Sequence, residues 1–550
     1  MIRHVVLVGL SGSGKSSVAL LASELLGWGL FDTDGEIERR TGRTIPDLFR
    51  SEGETRFRDI EAAVLRDALT RERVVIATGG GAVVSPEAWT PDLLGAPESL
   101  VVWLDASPDI LVGRLLEQSA NEGVAADRPL LASGDTLEKL TRMRERRASS
   151  YARADVVLEV SMRSAVAVSA DVAELVRLAR GEESLVTLRV ANARSAIHIG
   201  NGARHRIADA ISQRWPRARQ IFIVVDGNLA PHAQPVIDAI REQSPARVNV
   251  LPVPPGEASK SMDGLAALYD WMLGCAVERG DVLVAMGGGM VGDLAGYAAA
   301  TILRGIGLVQ VPTTLLSMVD SSVGGKTGIN HAAVKNLIGA FYQPPEVVID
   351  PEYLSTLPIR ERRSGWAEII KHGVIEASTP GGSPPVLFDV LERNAMALSN
   401  LASPITLWVI RRNVSLKALV VEADEREAGI RAYLNFGHTI GHGIEAAGYA
   451  LLHGEAVAVG MAAALAIARE MDLIDAAFEG GVRDLISAYG LPLDSDTEPD
   501  TVRVKMSADK KKADGRQRWV LPVQAGGVVL TSDVPRGSVD RAIARVTRSG

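Results

Sequence analysis

The stretch HVVLVGLSGSGKSSVALLASELLG, residues 4–27, indicates the fold of the N-terminal part of the chain. Within it, GLSGSGKS (residues 9–16) matches G-x-x-x-x-G-K-[ST], with a β-branched run before it and a helical run after it. Glycines in such a loop let backbone N–H groups surround phosphate oxygens, and the positive end of the helix adds to the attraction. The stretch therefore predicts a strand, a phosphate-binding loop and a helix, in which Lys15 reaches the β- and γ-phosphates of a nucleotide and Ser16 can hold Mg²⁺.

Length and composition limit the class of protein. The chain has 550 residues, of which 47% are hydrophobic and 23% charged, and its formal net charge is -8. These values predict a globular protein of roughly two to four domains, without nucleic acid as a main partner. The basic run RMRERR (residues 142–147) is interpreted as a solvated or anion-facing helix.

Cysteine content and hydropathy indicate the compartment. The single cysteine, Cys275, excludes a disulfide framework and a thiolate zinc site and favours a reducing compartment. The N-terminus lacks the pattern of a signal peptide. The most apolar helical run, residues 456–468, is too short to span a bilayer. We therefore expect a cytoplasmic protein with no membrane partner.

Strand and helix signals divide the chain into three regions. Residues 1 to about 160 alternate β-branched runs with helical stretches, which predicts a parallel α/β sheet. A second series of strands begins after GEES (residues 181–184), and helical segments dominate from about residue 358. We predict an α/β protein made of a P-loop domain with a parallel sheet, an α/β nucleotide-binding domain and a mainly α-helical metal-binding domain. The expected ranges are 1–180, 185–357 and 358–550.

Polar residues near the phosphate loop indicate a polyol substrate. FDTD places Asp32 near the magnesium and the attacking hydroxyl, and Asp34 where it can accept hydrogen bonds from a polyol. Arg58 and Glu61 lie one helical turn apart, and the backbone of TGGG (residues 78–81) allows close approach of a small ligand. Each of these features alone also fits a helix salt bridge or a turn. Together they predict a site for a carboxylated polyol.

Residues 1 to about 175 resemble shikimate kinase over their whole length. The resemblance rests on the phosphate loop, DTD, FRxxE, GGG, the lid segment RPLL and RxxxY. It implies transfer of phosphate from ATP with Mg²⁺ to shikimate, under a lid whose arginine, Arg128, closes over the γ-phosphate. The lid stretch EQSANEGVAAD is longer than is usual for the family. By position, the resemblance assigns catalysis to Asp32, Lys15 and Arg128, ATP binding to Gly12, Ser13, Gly14, Lys15, Ser16, Ser17 and Arg128, and shikimate binding to Asp34, Arg58, Gly80 and Arg147.

A second glycine-rich stretch, DVLVAMGGGMVGD, follows a strand signal. Gly287, Gly289 and Gly292 fit G-x-G-x-x-G, but the acidic residue usually found about 20 positions later is missing. An earlier strand signal, IFIVVD, ends at Asp226, which is well placed for a ribose, and Asp293 can serve the same ligand. The sequence therefore predicts dinucleotide binding in a layout other than the ordinary Rossmann order.

Polar side chains also stand in the apolar, glycine-rich stretches PTTLLSMVDSSVGGKTGIN and KNLIGAFYQP. A buried lysine is unfavourable unless an anion compensates it. Lys326 has almost no polar sequence around it, so we expect it to be buried against a phosphorylated, carboxylated substrate. The other polar or cationic residues of this set are Thr313, Thr314, Asp320, Lys335, Asn336, Arg304, Lys371, Lys417, Arg431 and the lysines at 510–512.

Three of the nine histidines lie within LNFGHTIGHGIEAAGYALLHGEAV. His438 and His442 are four residues apart, which places both on one face of a helix, and His453 follows. HTIGH lacks the glutamate of HExxH, which disfavours a zinc protease. With Glu455 alongside and Glu368 available, the histidines predict a catalytic metal site of one carboxylate and two imidazoles.

Residues from about 185 to 550 resemble 3-dehydroquinate synthase throughout, in GEASKS, GGGMVGDLAGYAAA, PTTLLSMVDSSVGGKTGIN, KNLIGAFYQP, AEIIKHG, LNFGHTIGH and LHGEAV. The resemblance implies conversion of 3-deoxy-D-arabino-heptulosonate 7-phosphate to 3-dehydroquinate with release of phosphate. It implies NAD that is reduced and reoxidised within one turnover, and Zn²⁺ (or Co²⁺). It also suggests a homodimer formed through this region.

The same resemblance assigns roles by position. The metal ligands are Glu368, His438 and His453. NAD is bound by Asp226, Glu257, Lys260, Gly288, Gly289, Asp293, Thr313, Thr314 and Lys335. The substrate is bound by Arg304, Asp320, Lys326, Asn336, Lys371, Lys417, Arg431, Asn435, His442, Lys510 and Lys511. Among these, Lys326, Lys371, His442, Arg431 and Asp320 are assigned to catalysis.

Two other interpretations stay open at this point. The first is a gluconate-type P-loop kinase fused to a metal-dependent polyol dehydrogenase. Lys326, Asn336 and Arg431 argue against it, because a neutral polyol does not require so many cations. The second makes one half a degenerate regulatory module, although the sequence lacks no motif residue that we can identify. In each case the partners are small molecules.

Overall fold

The computed structural model describes residues 1–122, 135–331, 335–448, 450–508, 512–513, 516–524 and 526–547. The chain divides into two compact units. The first comprises residues 1–182 together with 392–408, and the second comprises residues 183–391 and 409–550. The division after Glu182 falls within the GEES stretch.

In the first unit, strands and helices follow each other along residues 1–182. The strands are β1 (His4–Val8), β2 (Gly29–Asp32), β3 (Val74–Ala77), β4 (Ser99–Asp105) and β5 (Val156–Glu159). The helices are α1 (Lys15–Leu26), α2 (Thr33–Thr41), α3 (Ile45–Ala68), α4 (Pro108–Glu122), α5 (Thr136–Tyr151) and α6 (Ala165–Ala179). Helix α3 contains a kink at Gly53, where the backbone is not helical.

The sheet of the first unit has the order β2-β3-β1-β4-β5, and every pair of neighbours is parallel. The β-branched residues of β1 are buried at its centre, as expected for a strand covered on both faces. The phosphate loop leaves the carboxyl end of β1, where open parallel sheets bind ligands. The predicted P-loop domain with a parallel sheet is therefore confirmed.

The second unit begins with a larger sheet and its helices. The strands are β6 (Ser184–Val190), β7 (Ala193–Ile199), β8 (Gln220–Asp226), β9 (Arg247–Val253), β10 (Val282–Gly287), β11 (Gly307–Pro312), β12 (Lys326–Ile329), β13 (Ile338–Phe341) and β14 (Glu346–Ile349). The helices are α7 (Ile207–Arg214), α8 (Ala230–Gln243), α9 (Met262–Gly274) and α10 (Gly289–Thr301).

Seven of these strands form one sheet in the order β6-β7-β14-β11-β10-β8-β9. Its pairs are parallel except for the antiparallel hairpin of β6 and β7. Strands β12 and β13 pair separately as an antiparallel ribbon. One face of the sheet packs against α9 and α10 in a cluster of buried apolar side chains that includes Phe222, Leu268 and Leu294.

The remainder of the chain is mainly helical, as the sequence predicts. The helices are α11 (Ile359–Ile375), α12 (Leu387–Arg393), α13 (Ala395–Ser399), α14 (Ile405–Ala423), α15 (His438–Gly448), α16 (His453–Glu470), α17 (Ala476–Ala488), α18 (Pro499–Ala508) and α19 (Arg536–Val546). The short strands are β15 (Lys512–Ala513), β16 (Arg516–Gln517), β17 (Trp519–Val523) and β18 (Gly527–Thr531). Residues 456–468 of α16 are buried on all sides, which explains their apolar character.

Three features differ from the pattern of strand and helix signals. The signals did not mark β2, the ribbon of β12 and β13, or the short strands after residue 511. The first three of these strands are short and contain glycine, which weakens a strand signal.

Within the described parts of the chain, no helix has the length and hydropathy needed to cross a membrane.

Candidate active sites

The phosphate loop joins β1 to α1. Gly12 and Gly14 have left-handed backbone conformations, with φ of 84° and 87°, which side chains disfavour. Lys15 is buried at the start of α1, and its ammonium donates to the carbonyl oxygens of Gly9 and Leu10 at 2.9 Å each. The helix N-terminus and an ammonium group are thus adjacent, an arrangement suited to phosphate.

Three serines complete this loop. Ser13 has a buried hydroxyl oxygen without a hydrogen-bond partner among the described residues, and Ser17 is exposed in the first turn of α1. The Ser16 hydroxyl donates to Asp32 Oδ2 at 2.8 Å. Asp32 Oδ1 accepts from the backbone N–H groups of residues 34 and 35, which caps α2 and fixes the carboxylate. Ser16 and Asp32 therefore offer two neighbouring oxygens to a hard cation such as Mg²⁺.

The GGG stretch forms one wall of the predicted polyol site. A Cβ at Gly79 would lie 2.5 Å from Glu61 Oε1 and 2.7 Å from Asp34 Oδ1, and a Cβ at Gly81 would lie 2.1 Å from Arg58 Nη2. Arg58 also pairs with Glu61 at 2.7 Å. Burial raises the pKa of Glu61, although the charge of Arg58 opposes this. A side chain at Gly79 or Gly81 would therefore displace the polar groups that touch the backbone there.

Helix α5 brings two more donors to this wall. Arg147 Nη1 and the Tyr151 hydroxyl donate to the carbonyl oxygen of Gly80, at 2.6 and 2.7 Å. Burial raises the pKa of Tyr151 to about 12, so its hydroxyl stays protonated and can donate. The four residues that the resemblance assigns to shikimate therefore lie on or against residues 79–81. Arg128 lies outside the described residues.

In the second unit, the glycine-rich stretch joins β10 to α10. Gly288 is the N-cap of α10, which begins at the next residue, Gly289. A Cβ at Gly288 would lie 3.1 Å from Thr314 Cγ2, and the backbone N–H of Thr313 donates to the carbonyl that ends β10. Asp226 ends the neighbouring strand β8. These residues lie at the carboxyl ends of β8, β10 and β11, where a parallel sheet binds its ligands.

Lys260 is buried and joins residues from several segments. Its ammonium donates to Asp293 Oδ2 at 2.6 Å and to Asn336 Oδ1 at 2.5 Å, and it lies 3.8 Å from Glu257 Oε1. Burial raises the pKa of Asp293, although the charge of Lys260 opposes the rise. Three residues assigned to NAD thus share one ion-pair cluster with Asn336, which was assigned to the substrate.

Glu368, His438 and His453 converge. Glu368 Oε1 lies 3.5 Å from Nε2 of each histidine, and the three groups offer ligand atoms within 4.8 Å of one another. Glu368 is fully buried, and this oxygen has no hydrogen-bond partner among the described residues. His438 Nδ1 lies 3.1 Å from the carbonyl oxygen of Phe436, and His453 Nδ1 lies 3.0 Å from Glu445 Oε2. These contacts turn both Nε2 atoms toward the carboxylate.

Burial and charge shift the pKa values of these groups. Burial disfavours ionised Glu368, but Lys371 and the two histidines outweigh it and hold the Glu368 pKa well below its usual value. Burial lowers the pKa of His438 far below its usual value. Burial opposes protonation of His453 too, yet the nearby carboxylate of Glu368 and the hydrogen bond to Glu445 raise its pKa to about 10. The environment of Glu368, His438 and His453 therefore favours a positive charge beside the Glu368 carboxylate.

The third histidine, His442, lies one turn after His438 on α15. Its ring centroid is 5.2 Å from that of His438 and 5.9 Å from that of His453. His442, Glu445 and His453 also offer ligand atoms within 4.8 Å of one another. The three imidazoles therefore line one space.

Two buried lysines adjoin this space through Asp320. Lys371 contacts Glu368 Oε2 and lies 3.9 Å from Asp320 Oδ1, and Lys417 donates to Asp320 Oδ1 at 2.7 Å. Burial lowers the pKa of Lys417 to about 8, although Asp320 opposes the change. Burial would also lower the pKa of Lys371, but Glu368 and Asp320 raise it. Lys371 therefore stays charged at neutral pH, whereas Lys417 loses its charge near pH 8.

Lys326 and Asn435 meet at Glu427, which the sequence analysis did not single out. The Lys326 ammonium contacts the Glu427 carboxylate, and Asn435 Nδ2 donates to Glu427 Oε1 at 2.6 Å. The expectation that Lys326 is buried is wrong, because 52% of its side chain is exposed. It begins β12 and faces away from the core, whereas the next three residues of that strand are buried. Arg431 is buried and donates to the carbonyl of Gly324 at 3.0 Å.

The remaining assigned residues lie in different places. Lys335 Nζ pairs with Glu445 Oε1 at 3.0 Å, which brings it to the histidines. Glu455, expected beside the histidines, instead pairs with Arg360 at 2.6 Å and caps α16, because its carboxylate can satisfy the free N–H at the helix start. Arg304 is exposed after α10 with a left-handed φ of 66°. Lys510 and Lys511 lie outside the described residues.

Two site residues escaped the sequence analysis, Glu427 and Glu445. Glu445 follows His438 by seven positions and His442 by three, so helical periodicity alone places it on their face. This signal could have identified it. Glu427 lies in the acidic run EADEREAG, where nothing separates it from its neighbours.

The chain matches known protein families in both of its parts. The family models described as 3-dehydroquinate synthase N-terminal and C-terminal match residues 250–364 and 365–512, and the model described as shikimate kinase matches residues 11–177. The 3-dehydroquinate synthase of Symbiobacterium thermophilum is 42% identical over 348 residues, which are 62% of this chain and 94% of the relative.

The chain is also similar to solved structures. A 2-deoxy-scyllo-inosose synthase complexed with carbaglucose-6-phosphate, NAD⁺ and Co²⁺ has a TM-score of 0.59 at 27% identity, covering 66% of this chain and 100% of that one. A shikimate kinase from Acinetobacter baumannii in complex with shikimate is 32% identical, with a TM-score of 0.29, and the match covers 32% of this chain and 93% of that one. The chain belongs to the 3-dehydroquinate synthase family and carries a shikimate kinase domain in its N-terminal part, so it is a fusion of the two.

Proposed function

We propose that the chain catalyses two reactions on the route to aromatic amino acids. Residues 1–180 phosphorylate shikimate with ATP. Residues 185–357 and 358–550 together convert 3-deoxy-D-arabino-heptulosonate 7-phosphate to 3-dehydroquinate and release phosphate. The observation that carries the proposal is the cluster of Glu368, His438 and His453, flanked by buried cations, in a chain that also has a complete phosphate loop.

In the kinase, the phosphate loop and Lys15 bind the phosphates, and Ser16 and Asp32 hold Mg²⁺ that accompanies ATP. Asp32 also lies next to the attacking hydroxyl of shikimate. Asp34 accepts hydrogen bonds from the ring hydroxyls, and Arg58 and Arg147 bind the carboxylate. Their contacts with residues 79–81 fix these groups before substrate arrives, which is the main contribution a protein makes to phosphoryl transfer. We assign the lid arginine to Arg128 by family resemblance alone.

The residues of the synthase fit a catalytic metal ion. Glu368 offers a buried oxygen without a hydrogen-bond partner among the described residues, 3.5 Å from two imidazole nitrogens whose rings are held from behind. One carboxylate and two histidines with open positions suit Zn²⁺ or Co²⁺. Bound there, the metal supplies Lewis acidity toward the oxygen of the carbon that is oxidised.

The residues also fit NAD. At Gly288 a Cβ would press on Thr314, so backbone can approach the ligand closely beside the N-terminus of α10. We assign Asp226, at the end of β8, to a ribose of NAD, and the Lys260 cluster to the same ligand. NAD supplies a hydride acceptor that is regenerated within the turnover.

The remaining residues of the synthase bind and orient an anionic substrate. Lys371, Lys417 and Arg431 are buried, and a substrate that carries phosphate and carboxylate groups compensates their charge. Lys326 and Asn435 both contact Glu427, and we assign them to the same substrate. We assign proton transfer to the remaining imidazole, His442, whose ring lies near those of the two metal ligands. A polyol dehydrogenase does not need this array of cations, which favours the synthase.

Location and assembly are proposed from composition and from family resemblance. The composition of the chain fits a cytoplasmic enzyme. A homodimer through the synthase region is proposed from the family resemblance. Sedimentation at several protein concentrations measures the oligomeric state directly, and a monomer at all of them would contradict the dimer.

Two assays on the purified full-length chain test the proposed function. We expect ATP-dependent phosphorylation of shikimate, and phosphate release from the heptulosonate phosphate that requires NAD and a divalent metal. The release must be redox-neutral, with no net NADH. Net accumulation of NADH would instead support a dehydrogenase, and failure of either assay with folded, metal-loaded protein would refute the corresponding half of the proposal.

A further inference from the structure

Residues 392–408, which we call the return segment, belong to the same compact unit as residues 1–182. In sequence, however, they lie inside the 365–512 match to the C-terminal part of 3-dehydroquinate synthase. The segment contains the end of α12, all of α13 and the start of α14. A piece of the synthase sequence therefore forms part of the kinase unit.

Asn394 of the return segment binds the edge of the kinase sheet. Its Oδ1 accepts from the backbone N–H of Val157 at 2.8 Å, and its Nδ2 donates to the carbonyl oxygen of the same residue at 2.9 Å. Val157 lies in β5, an edge strand, and Asn394 is only 5% exposed. The side-chain amide thus satisfies a donor and an acceptor that a further strand would otherwise pair.

Arg393 binds a buried carboxylate at the end of β4. Its guanidinium contacts Asp105 Oδ2, and Arg144 of α5 donates to both oxygens of Asp105, at 3.1 and 2.8 Å. The Asp105 side chain is only 3% exposed. A buried carboxylate needs full compensation of its charge, so two arginines from different parts of the chain share one anchor.

Helix α5 connects this Asp105 anchor to the GGG stretch, residues 79–81, which forms one wall of the predicted polyol site. Arg144 lies one helical turn before Arg147 on α5, and both Arg147 and Tyr151 donate to the carbonyl of Gly80. Helix α5 is therefore fixed at Asp105 and at Gly80. We propose that Arg393 and Asn394 are positioning residues of the kinase, which hold β5 and the Asp105 anchor so that α5 presents Arg147 to shikimate.

The inference rests on the proposed kinase activity and is tested in the full-length chain. The test variant combines Arg393→Met and Asn394→Ala. We expect KM for shikimate to rise about fivefold, with KM for ATP and phosphate release by the synthase within about twofold of wild type. Arg393→Lys keeps the charge and should restore part of the affinity. A purely structural role would lower stability without separating the two KM values.

The matched control is Met396→Ala, because Met396 lies in the same segment with 82% of its surface exposed. It should leave all kinetic constants unchanged. A folded double variant with wild-type KM for shikimate would overturn the inference, and if that variant does not fold, the single variants decide in the same way. A wild-type chain that does not phosphorylate shikimate would instead refute the proposed function, so the two failures are distinguishable.

Discussion

The two sites of this chain bind anions by different means. The kinase site is built on one contiguous loop, residues 9–16, in which backbone N–H groups, the start of α1 and the Lys15 ammonium lie together. The synthase site is gathered from α11, α14, α15 and α16 and depends on charged side chains that are buried together. The first arrangement is local in sequence, whereas the second exists only in the folded protein.

This difference has a physical consequence. Backbone N–H groups carry no net charge, so when they are buried they require hydrogen-bond partners but no counter-charge. Buried lysines and carboxylates require each other, and each pair at the synthase site leaves a neighbour uncompensated when one member is removed. A substitution at the synthase site should therefore perturb more neighbouring side chains than a substitution in the kinase loop.

Removal of a metal ligand is expected to have the largest effect. In His438→Ala, the carboxylate of Glu368 loses one of the two imidazoles that adjoin it. We expect phosphate release to fall by about a thousandfold or more, with phosphorylation of shikimate unchanged. Metal content by mass spectrometry and the two activity assays measure the result. Loss of both activities in a folded protein would contradict two independent sites.

The reciprocal change is Lys15→Ala in the phosphate loop. The loss of its ammonium leaves the β- and γ-phosphates without their charge partner, so phosphorylation of shikimate should fall by about a thousandfold. Phosphate release should stay at its wild-type rate, which provides the internal control. A reduced rate of release would show that the sites are coupled.

The sequence predicted the local features well. The phosphate loop and most strands could be identified because each depends on residues that are adjacent in the chain. The histidine spacing predicted a metal site, but it left two carboxylates and three imidazoles as candidates. Because Glu368 precedes His438 by a long stretch, only family resemblance selected Glu368, His438 and His453 as the ligands. The exposure of Lys326, the diversion of Glu455 to Arg360 and the return segment depend on tertiary packing, which periodicity does not encode.

Two glutamates near the histidines allow a test of whether a carboxylate that contacts the other ring nitrogen of a metal ligand contributes to metal binding. Glu445 Oε2 lies 3.0 Å from His453 Nδ1, whereas Glu455 pairs with Arg360. We expect Glu445→Gln to weaken metal binding about 10- to 100-fold, because outer partners orient a ligating imidazole. The control, Glu455→Gln, should leave metal affinity unchanged. Competition with a chromogenic chelator measures both, and equal affinities in the two variants would contradict this role of Glu445.

A smaller effect is expected at the glycine wall of the kinase. In Gly81→Ala the new methyl group would lie 2.1 Å from Arg58 Nη2, so the guanidinium must move. Because only the end of a flexible side chain is displaced, the protein should stay folded while KM for shikimate rises about tenfold. Gly113→Ala is the control, since a Cβ there has no neighbour within 4 Å. Unaltered KM in Gly81→Ala would show that Arg58 does not bind shikimate in this position.

The smallest effect is a pH dependence that only the synthase site should show. Burial lowers the pKa of Lys417 to about 8, so this cation loses its charge as the pH rises through that value and binds an anionic substrate less well. If only the charged form binds, KM for the heptulosonate phosphate should rise about fourfold between pH 7 and pH 8.5. Lys417→Arg keeps its charge over this range and should remove the rise. The kinase loop relies on backbone dipoles, so KM for ATP should stay constant over the same interval. A rise in KM for the heptulosonate phosphate that persists in Lys417→Arg would assign the titration to another group.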